Sequence, residues 1–369
     1  MKLKNWILTL VILGLMGCSS DLEREKTSTT KISADFLVIG EDLTSVFQYS
    51  HDSESDSGTT FNLTDELGVP PNYLTLVQQN EVLSFYSFAQ GSFTLAIKNT
   101  STGETKIFEN FYTNTPERSI TWGINNEANV FFGYFGALGG GNFALHDLQL
   151  EGTDREDVTV DFNVGATFRP LLYKEKVYIA FRDNQGNYKL TFYDPMTMST
   201  GRILNFGTVP ISFFSTESGN IAVVKNELNG DMEIYNPEDL SFKESYEMDI
   251  SLGFAPGMID DAVLVGNELY FNIIYPQPSR FVKGPAIYNL ATRETTVLNL
   301  PDLVGQVETE IGKAINFTVQ VYDPSHDVFL MGYGTFGDDA EGGVVATSVD
   351  GELLQQTSLP FFPTYFLKN

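Results

Sequence analysis

The sequence predicts an all-β fold: a seven-bladed β-propeller of four-stranded blades, closed by the C-terminal strand in the first blade. Short runs rich in Val, Ile, Phe and Tyr alternate with turns of Gly, Asn, Asp and Pro, and no long stretch has a helical period. One strong run recurs at a nearly even interval, and an orphan strand ends the sequence. A pair of β-sandwiches is the alternative, but sandwiches do not require so even a period.

The recurring run marks seven units of the chain. The seven runs begin at Phe36, Val82, Val130, Val177, Ile221, Leu269 and Val328. Their starting positions are 46, 48, 47, 44, 48 and 59 residues apart. Two further strands follow each run, and one strand precedes every run but the first. Six units therefore have the four strands of a propeller blade, and the first unit has three.

The two ends of the repeat are complementary. The first unit lacks a preceding strand, whereas an extra strand at 363–367 follows the last unit. Placing this strand innermost in the first blade completes seven blades, closes the ring and removes exposed sheet edges. No unit has the Trp-Asp dipeptide or the double-glycine signature of kelch repeats, which excludes those two propeller classes. The turns at 99–103 and 194–197 resemble the hairpins of quinoprotein-like and YVTN-type propellers.

The first 17 residues have the layout of a secretory signal. Lys2 and Lys4 precede an apolar segment at 6–16, which is too short for the roughly 20 residues that span a bilayer. Cys18 is the only cysteine, and the Leu-Met-Gly-Cys sequence that ends on it resembles the lipobox of bacterial lipoproteins. The resemblance implies cleavage before Cys18 and lipid attachment to it. An ordinary signal followed by a buried cysteine is the alternative.

We therefore divide the chain into a signal peptide at 1–17, a lipidated flexible tether at 18–34 and a propeller domain at 35–369. The tether is rich in Ser, Thr, Lys and Glu, which favours disorder. Ser19 is not a retention residue of inner-membrane lipoproteins, so the resemblance implies the outer membrane. The acidic cluster at 21–25 loosely resembles the export signals of Bacteroidota lipoproteins and favours the cell surface, with the periplasmic face as the alternative.

The chain is strongly acidic, with a formal net charge of −26 from 22 basic and 48 acidic residues. Cleavage of the signal would remove two lysines and leave 20 basic against 48 acidic residues, a net charge of −28. Such a surface repels phosphate groups, which argues against nucleic-acid binding and against membrane binding through charge. The 29 Phe and 17 Tyr residues exclude a disordered acidic chain.

No catalytic set is evident in the sequence. The three histidines are scattered: His51 in an acidic loop, His146 in a strand and His326 in a tight turn. We place His146 in the packing slot that Tyr193 fills in the next blade, which makes it a blade-packing residue. The scatter excludes Ser-His-Asp catalysis and zinc sites of the His/Cys type. We therefore predict no catalytic residues.

We predict no cofactor and no metal, and calcium binding at one loop is the alternative. Asp52, Glu54 and Asp56 alternate like calcium ligands, but the glycine comes one place late and no glutamate stands at the twelfth position. The segment at 337–343 is similarly acidic. A solvated acidic hairpin explains both segments, with calcium as the alternative at the first.

The scarce basic residues are predicted to converge at one end of the ring. In a propeller, the loops before the first strand and after the second strand open on the same face. Cations beside aromatic rings suit a planar or carboxylate-bearing ligand. The alternative is that these cations only neutralise nearby carboxylates. The candidate ligand-binding residues are Arg118, Tyr134, Phe135, Phe168, Arg169, Arg182, Lys225, Tyr275, Arg280, Phe281, Lys283 and Tyr333.

A lipidated propeller without a catalytic set is best interpreted as a binding module. In its lipobox, length, blade number and all-β character, the chain resembles the Bacteroidota propeller lipoproteins that work beside TonB-dependent transporters, some of which capture ferric siderophores. The resemblance implies capture of an anionic iron chelate and its transfer to a transporter. Two alternatives stay open: a structural or protein-interaction scaffold, and a metal-assisted hydrolase or lactonase with carboxylate ligands at the channel mouth.

Overall fold

The computed structural model describes residues 34–136, 142–152, 155–337 and 340–368. The predicted signal peptide, Cys18 and the tether up to residue 33 lie outside the described residues. The described part forms seven sheets that are antiparallel apart from one short parallel pairing, and each sheet corresponds to one predicted unit. The prediction of a seven-bladed β-propeller is confirmed.

Blades 1 to 3 are four-stranded sheets. Blade 1 contains β1 (Phe36–Glu41), β2 (Val46–Asp52), β3 (Ser57–Asn62) and β31 (Phe362–Phe366). Blade 2 contains β4 (Thr75–Gln79), β5 (Val82–Ala89), β6 (Ser92–Asn99) and β7 (Thr105–Thr113). Blade 3 contains β8 (Arg118–Asn125), β9 (Asn129–Gly136), β10 (Phe143–Gln149) and β11 (Val158–Asp161).

Blades 4 and 5 have additional short strands. Blade 4 contains β12 (Val164–Thr167), β13 (Leu171–Tyr173), β14 (Lys176–Asp183), β15 (Tyr188–Asp194), β16 (Ser199–Thr200) and β17 (Leu204–Asn205). Blade 5 contains β18 (Ile211–Ser215), β19 (Ile221–Lys225), β20 (Asp231–Tyr235), β21 (Phe242–Glu247) and β22 (Gly257–Met258).

Blades 6 and 7 return to four strands. Blade 6 contains β23 (Val263–Val265), β24 (Glu268–Ile274), β25 (Lys283–Asn289) and β26 (Thr295–Val297). Blade 7 contains β27 (Ile315–Asp323), β28 (Val328–Thr335), β29 (Gly342–Ser348) and β30 (Leu353–Leu359).

The chain closes the ring as the sequence predicts. β31 pairs antiparallel with β1, with Val38 opposite Phe366 and Ile39 opposite Tyr365. The sheet order β3-β2-β1-β31 puts the last strand in the position that the first strand holds in the other blades. Because the two ends of the described chain share one sheet, the main-chain hydrogen bonds of blade 1 hold the ring together.

Two helices interrupt the strands in the described residues: α1 (Leu63–Leu67) after blade 1 and α2 (Leu300–Ile311) between blades 6 and 7. The expectation that no long stretch has a helical period is wrong at α2. Its buried side chains recur at helical spacing, at Leu300, Leu303, Val304 and Val307. Asn299 caps its N-terminus, and neither helix has the length and apolarity needed to cross a bilayer.

Apolar layers between neighbouring blades form the core. Within the described residues, one layer packs Tyr178 and Leu190 of blade 4 against Phe213 and Val223 of blade 5, and all four side chains are fully buried. Similar layers join the other neighbouring blades. Each large apolar side chain contributes about 1.5–3 kcal/mol on burial, so the layers between blades stabilise the ring.

Two histidines differ from their predicted positions. Tyr193 pairs with Val177, the first residue of the recurring run in blade 4. His146 pairs with Phe132, the third residue of the corresponding run in blade 3, so it lies two residues away from the predicted slot. It is nevertheless buried. His51 is also buried, in β2 rather than in a loop, because the β1–β2 ladder continues as far as the Phe36–His51 pair.

Candidate ligand-binding channel

Three adjoining cavities lie among the inner strands of the ring. The lower cavity, about 360 Å³, opens among the turns that join first and second strands. Two upper cavities lie among the loops at the other end: a polar one of about 410 Å³ and an aromatic one of about 320 Å³. Met258, Asp260 and Tyr365 line all three, so they mark the waist of a central channel.

A segment that we call the strap, residues 253–262, narrows this channel. It connects blades 5 and 6, and its β22 pairs in parallel with β18, so that Ser212 lies opposite Gly257. The Ser212 hydroxyl donates a hydrogen bond to the Ala255 carbonyl at 2.6 Å. Gly257 has φ 108°, and a Cβ there would lie 2.8 Å from the Phe168 Cβ. Only glycine lets the strap approach blade 4 this closely.

Arg169 reaches the channel from a break in the inner strand of blade 4. The ladder to β14 is interrupted at 168–170, where Pro170 has no amide hydrogen to donate. The Arg169 carbonyl instead accepts a hydrogen bond from the Met258 amide of the strap at 3.0 Å. The guanidinium, 48 % exposed, forms an ion pair with Asp260. Arg169 lines both upper cavities.

Lys283 lines the polar upper cavity from blade 6. Its ammonium lies 3.3 Å from the Asp261 carboxylate, which also accepts a hydrogen bond from the Asn272 amide at 2.7 Å. Gln320 of blade 7 completes this wall, and its buried Oε1 has no hydrogen-bond partner within the described residues. This wall therefore offers amide groups, an ammonium and a carboxylate to a ligand that enters the cavity.

Lys368 lies just past the closing strand and lines the lower cavity and the polar upper cavity. Its amide donates to Gln78 Oε1 at 3.0 Å, and its carbonyl accepts from Gln78 Nε2 at 2.6 Å. Its side chain is exposed to the water of the channel. Partial desolvation by the channel walls lowers the pKa of the Lys368 ammonium, and Asp260 and Asp261 oppose that shift. Burial likewise raises the pKa of the neighbouring Tyr365 hydroxyl above its usual range.

The aromatic upper cavity lies between blades 2 and 4. Trp122 forms one wall, and its indole N–H donates to the Thr167 hydroxyl at 3.0 Å. Phe168 also lines this cavity and stacks on Tyr188 with ring centroids 5.7 Å apart. Since Arg169 borders the same cavity, a flat ligand can contact an aromatic face and a guanidinium together.

The two ends of the channel differ in charge. The polar upper cavity has three cations and two carboxylates, a net charge of +1: Arg169, Lys283, Lys368, Asp260 and Asp261. The lower cavity has one cation and four carboxylates, a net charge of −3: Lys368, Asp35, Glu217, Asp260 and Asp323. In a protein of net charge −26, the upper cavity is thus a local region of positive charge.

Of the twelve residues that the sequence analysis proposed for ligand binding, Phe168, Arg169 and Lys283 line these cavities. Arg118 and Tyr134 instead belong to a cluster on blade 3. The Arg118 guanidinium donates to Asp157 at 3.1 and 2.9 Å, and the Tyr134 hydroxyl donates to the same oxygen at 2.6 Å. Burial, with the adjacent Asp157, raises the pKa of Tyr134 to about 12.

Three further candidates surround the start of blade 7. The Arg280 guanidinium donates to Glu308 of α2 at 2.5 Å and to the Ile315 carbonyl at 2.8 Å. Phe281 is buried, and its ring lies 6.4 Å from that of Tyr275. These contacts fix α2 against the 275–281 loop and leave Arg280 outside the three cavities.

The remaining four candidates also lie outside the cavities. Lys225 forms ion pairs with two carboxylates of β20 at 3.2 and 2.7 Å, and Arg182 is exposed at the end of β14. Phe135 packs on Phe143, and the buried Tyr333 hydroxyl accepts a hydrogen bond from Gln356 at 2.6 Å. Several of the predicted cations therefore form ion pairs with nearby carboxylates.

Sequence reasoning missed several residues that line the three cavities. Asp260, Asp261 and Lys368 were not proposed, and neither were Trp122 and Tyr365. A signal was present for Trp122, the one tryptophan beyond the signal peptide, and for Lys368, a lysine directly after the closing strand. The two aspartates had no such signal, because the strap has no counterpart in the other blades.

The described residues show no group of three or more His, Cys, Asp or Glu side chains placed to hold a metal ion. In the loop weighed for calcium, Asp52 Oδ1 accepts hydrogen bonds from the amides of Glu54 and Ser55 at 2.9 and 3.3 Å, as in a polar turn. Two histidines pair with carboxylates: His326 with Asp323 and His146 with Asp157, each at 2.6 Å.

Comparisons with known proteins identify the fold alone. No family model matches the sequence, and no curated protein matches it. A structure of two prolyl endopeptidases is similar at a TM-score of 0.51 and 11 % identity, covering 88 % of this chain and 50 % of that one. Puromycin hydrolase, as its S511A mutant complexed with PGG, is similar at a TM-score of 0.50 and 11 % identity, covering 88 % and 54 %.

This chain therefore spans about half the length of those two structures. A putative 6-phosphogluconolactonase from Bacteroides fragilis has a TM-score of 0.49 at 10 % identity, with 91 % of this chain and 98 % of that chain covered. At 11 % identity, the similarity to the prolyl endopeptidase and puromycin hydrolase structures shows the fold and nothing about a ligand or an activity.

Proposed function

We propose that this protein is a non-catalytic binding propeller that takes a small anionic ligand into the upper half of its channel. The observation that carries the proposal is the net charge of +1 in the polar upper cavity of a chain whose net charge is −26. A site of this kind attracts an anion locally, although the whole surface repels one at long range. The ligand must therefore be small enough to enter.

The size and walls of the channel support the same proposal. Each upper cavity lies in the range of about 300–1,000 Å³ that small-molecule sites occupy. The aromatic wall at Trp122 and the amides near Lys283 offer stacking and hydrogen bonds, while Arg169 supplies a guanidinium fork for a carboxylate. A ferric siderophore or another anionic chelate has this combination of planar groups and negative charge.

The proposed setting rests on the resemblance of the sequence ending at Cys18 to a lipobox. In the proposal, lipid on Cys18 holds the protein at the outer membrane, on the cell surface, and the tether lets the ring move beside a TonB-dependent transporter. The protein would then capture the chelate and release it to the transporter unchanged. The proposal requires no cofactor and no reaction at the ligand.

A titration tests the proposal. The purified full-length chain in detergent would be titrated with ferric siderophores of catecholate, hydroxamate and carboxylate type and with haem, while protein fluorescence and calorimetry are followed. We expect saturable binding of at least one anionic ligand, weakened by salt. Absence of saturable binding across the panel, or equal binding of neutral analogues of the same size, would contradict the proposal.

A further inference from the structure

Lys368 differs from the other two cations of the channel in its partners. Arg169 pairs with Asp260 and Lys283 pairs with Asp261. Within the part of the chain that the structure describes, no carboxylate lies within ion-pair distance of the Lys368 ammonium. The two aspartates influence it only at longer range. The excess positive charge of the polar upper cavity is therefore located at Lys368.

The position of Lys368 connects two parts of the ring. Its main chain is fixed to Gln78 of blade 2 by two hydrogen bonds, and the preceding amide, of Leu367, donates to the Leu37 carbonyl at 2.9 Å. Lys368 lines the polar upper cavity together with Asp260 and Asp261 of the strap, whose β22 belongs to the sheet of blade 5. A ligand that contacts both the Lys368 ammonium and the strap therefore links the closing strand of blade 1 to blade 5.

We propose that Lys368 holds the oxyanion of the ligand at the floor of the polar upper cavity, and that the bound anion fastens the closing strand. This inference rests on the proposed function and adds the residue that takes the charge. The ligand class is an oxyanion, a carboxylate or a phosphate, because an ammonium forms its strongest hydrogen bonds with charged oxygen acceptors. Without the anion, the ammonium has no carboxylate within ion-pair distance among the described residues.

The charge of the lower cavity gives the direction of entry. Asp35, Glu217 and Asp323 line the lower opening, so an anion that approached from below would meet three carboxylates before reaching Lys368. From above it meets Arg169 and Lys283 first, each with a carboxylate beside it. The anion therefore enters through the upper end and stops at Lys368, where the channel changes sign.

The test uses sodium acetate and inorganic phosphate as probes, at constant ionic strength against sodium chloride. Binding would be measured by calorimetry, and amide hydrogen exchange would be followed in the peptide covering 362–368. At an anion concentration ten times its Kd, exchange that requires release of the closing strand should slow by about tenfold. The same peptide should be unaffected by chloride.

The diagnostic variant is Lys368→Met, and Lys243→Met is its matched control. Lys243 is exposed and donates to Asn220 at 2.6 Å, away from the cavities. Lys368→Met should weaken binding of the probe by about tenfold or more and abolish the slowed exchange, whereas Lys243→Met should change neither. If Lys368→Met proves less stable, Lys368→Arg, which keeps the charge, should restore anion-dependent protection.

The outcomes separate this inference from the proposed function. If a chelate binds and depends on Arg169 while Lys368→Met binds it equally well, the inference is overturned and the proposed function stands. If acetate or phosphate protects 362–368 through Lys368 but no larger anion binds, the inference stands and the proposed function fails. Protection that is equal in wild type and Lys368→Met would also overturn the inference.

Discussion

Arg169 and Asp260 form an ion pair although 91 positions separate them in the sequence. Arg169 comes from the break in the inner strand of blade 4, and Asp260 comes from the strap that follows blade 5. The Arg169 side chain is 48 % exposed and the Asp260 side chain is 28 % exposed, so a ligand in the channel can reach the guanidinium. An incoming carboxylate can therefore compete with Asp260 for Arg169.

We expect Arg169→Gln to weaken binding of an anionic ligand by about tenfold, because a charge-assisted hydrogen bond contributes about 1.5–3 kcal/mol. Arg280→Gln is the matched control, since Arg280 bonds Glu308 and the Ile315 carbonyl outside the cavities. It should change the Kd less than twofold. Calorimetry on both variants checks the prediction, and equal losses of affinity would place the site elsewhere on the upper end.

Asp260→Asn should have the opposite effect and tighten binding of the same ligand by about fivefold. Asp260 competes with the ligand for Arg169, and removal of its charge relieves about 1 kcal/mol of repulsion. Asp239→Asn, in a turn of blade 5 where the carboxylate accepts the Ser241 amide, serves as the control. A weaker affinity in Asp260→Asn would mean that Asp260 itself binds the ligand as an acceptor.

The blades could be predicted from sequence because the pattern that specifies them is local. All seven predicted runs became second strands, from β1, which begins at Phe36, to β28, which begins at Val328. Apolar alternation and turn residues act over a few positions, so each blade can be recognised without its neighbours. The closing strand could be predicted because the first unit lacked a strand and an extra strand followed the last unit.

The channel could not be predicted in the same way. Asp260 and Lys368 are brought together only when the ring closes, and the strap has no equivalent in other blades from which its path could be inferred. Predicted cations such as Arg118 and Lys225 point to carboxylates within their own blade. In an acidic chain, a basic side chain has many carboxylates nearby with which it can pair. A basic residue at the correct end of a strand therefore does not necessarily line the channel.

Gly257→Ala should destabilise the protein by about 2–4 kcal/mol. Gly257 has φ 108°, and its new Cβ would lie 2.8 Å from Phe168 and 3.0 Å from the Arg169 amide, so strain and overpacking add together. Gly266→Ala is the control: φ is 56° and nothing lies within 4 Å, so the expected loss is about 1 kcal/mol. Urea unfolding measures both, and equal losses would mean that the strap can shift.

Asp183 should make the stability of blade 4 depend on acid. Hydrogen bonds from Asn187, with the adjacent Lys189, hold the pKa of Asp183 at about 2, below the usual value near 4. Its folded-state pKa is depressed, so its contribution is complete above pH 4 and is lost as the pH falls from about 4 towards 2. Asp183→Asn should therefore be less stable than wild type at pH 7, and the difference should shrink over that window.

Unfolding midpoints in urea at pH 7, 4 and 2.5 measure this difference. Glu104→Gln, an exposed carboxylate on blade 2, should follow the wild-type curve throughout. A gap between wild type and Asp183→Asn that stays constant down to pH 2.5 would show that Asp183 acts through shape rather than through its charge.

Trp122 should report ligand binding directly. The chain has two tryptophans, Trp6 and Trp122, so a protein prepared from residue 18 onwards has Trp122 as its only source of indole emission. It forms a wall of the aromatic upper cavity, and its N–H is held by Thr167 at 3.0 Å. A ligand that stacks there should quench or shift this emission, because it displaces water from the indole face.

Trp122→Phe should abolish the signal at 295 nm excitation while calorimetry still shows binding, weakened by about tenfold or less, since phenylalanine keeps an aromatic face. Thr167→Val removes the acceptor of the indole N–H without touching the ring, and should move the emission of the free protein but preserve its response to ligand. A ligand that binds by calorimetry and leaves wild-type emission unchanged would occupy the polar upper cavity alone. In that case Lys283 and Asn272, rather than the aromatic wall, would contact its body.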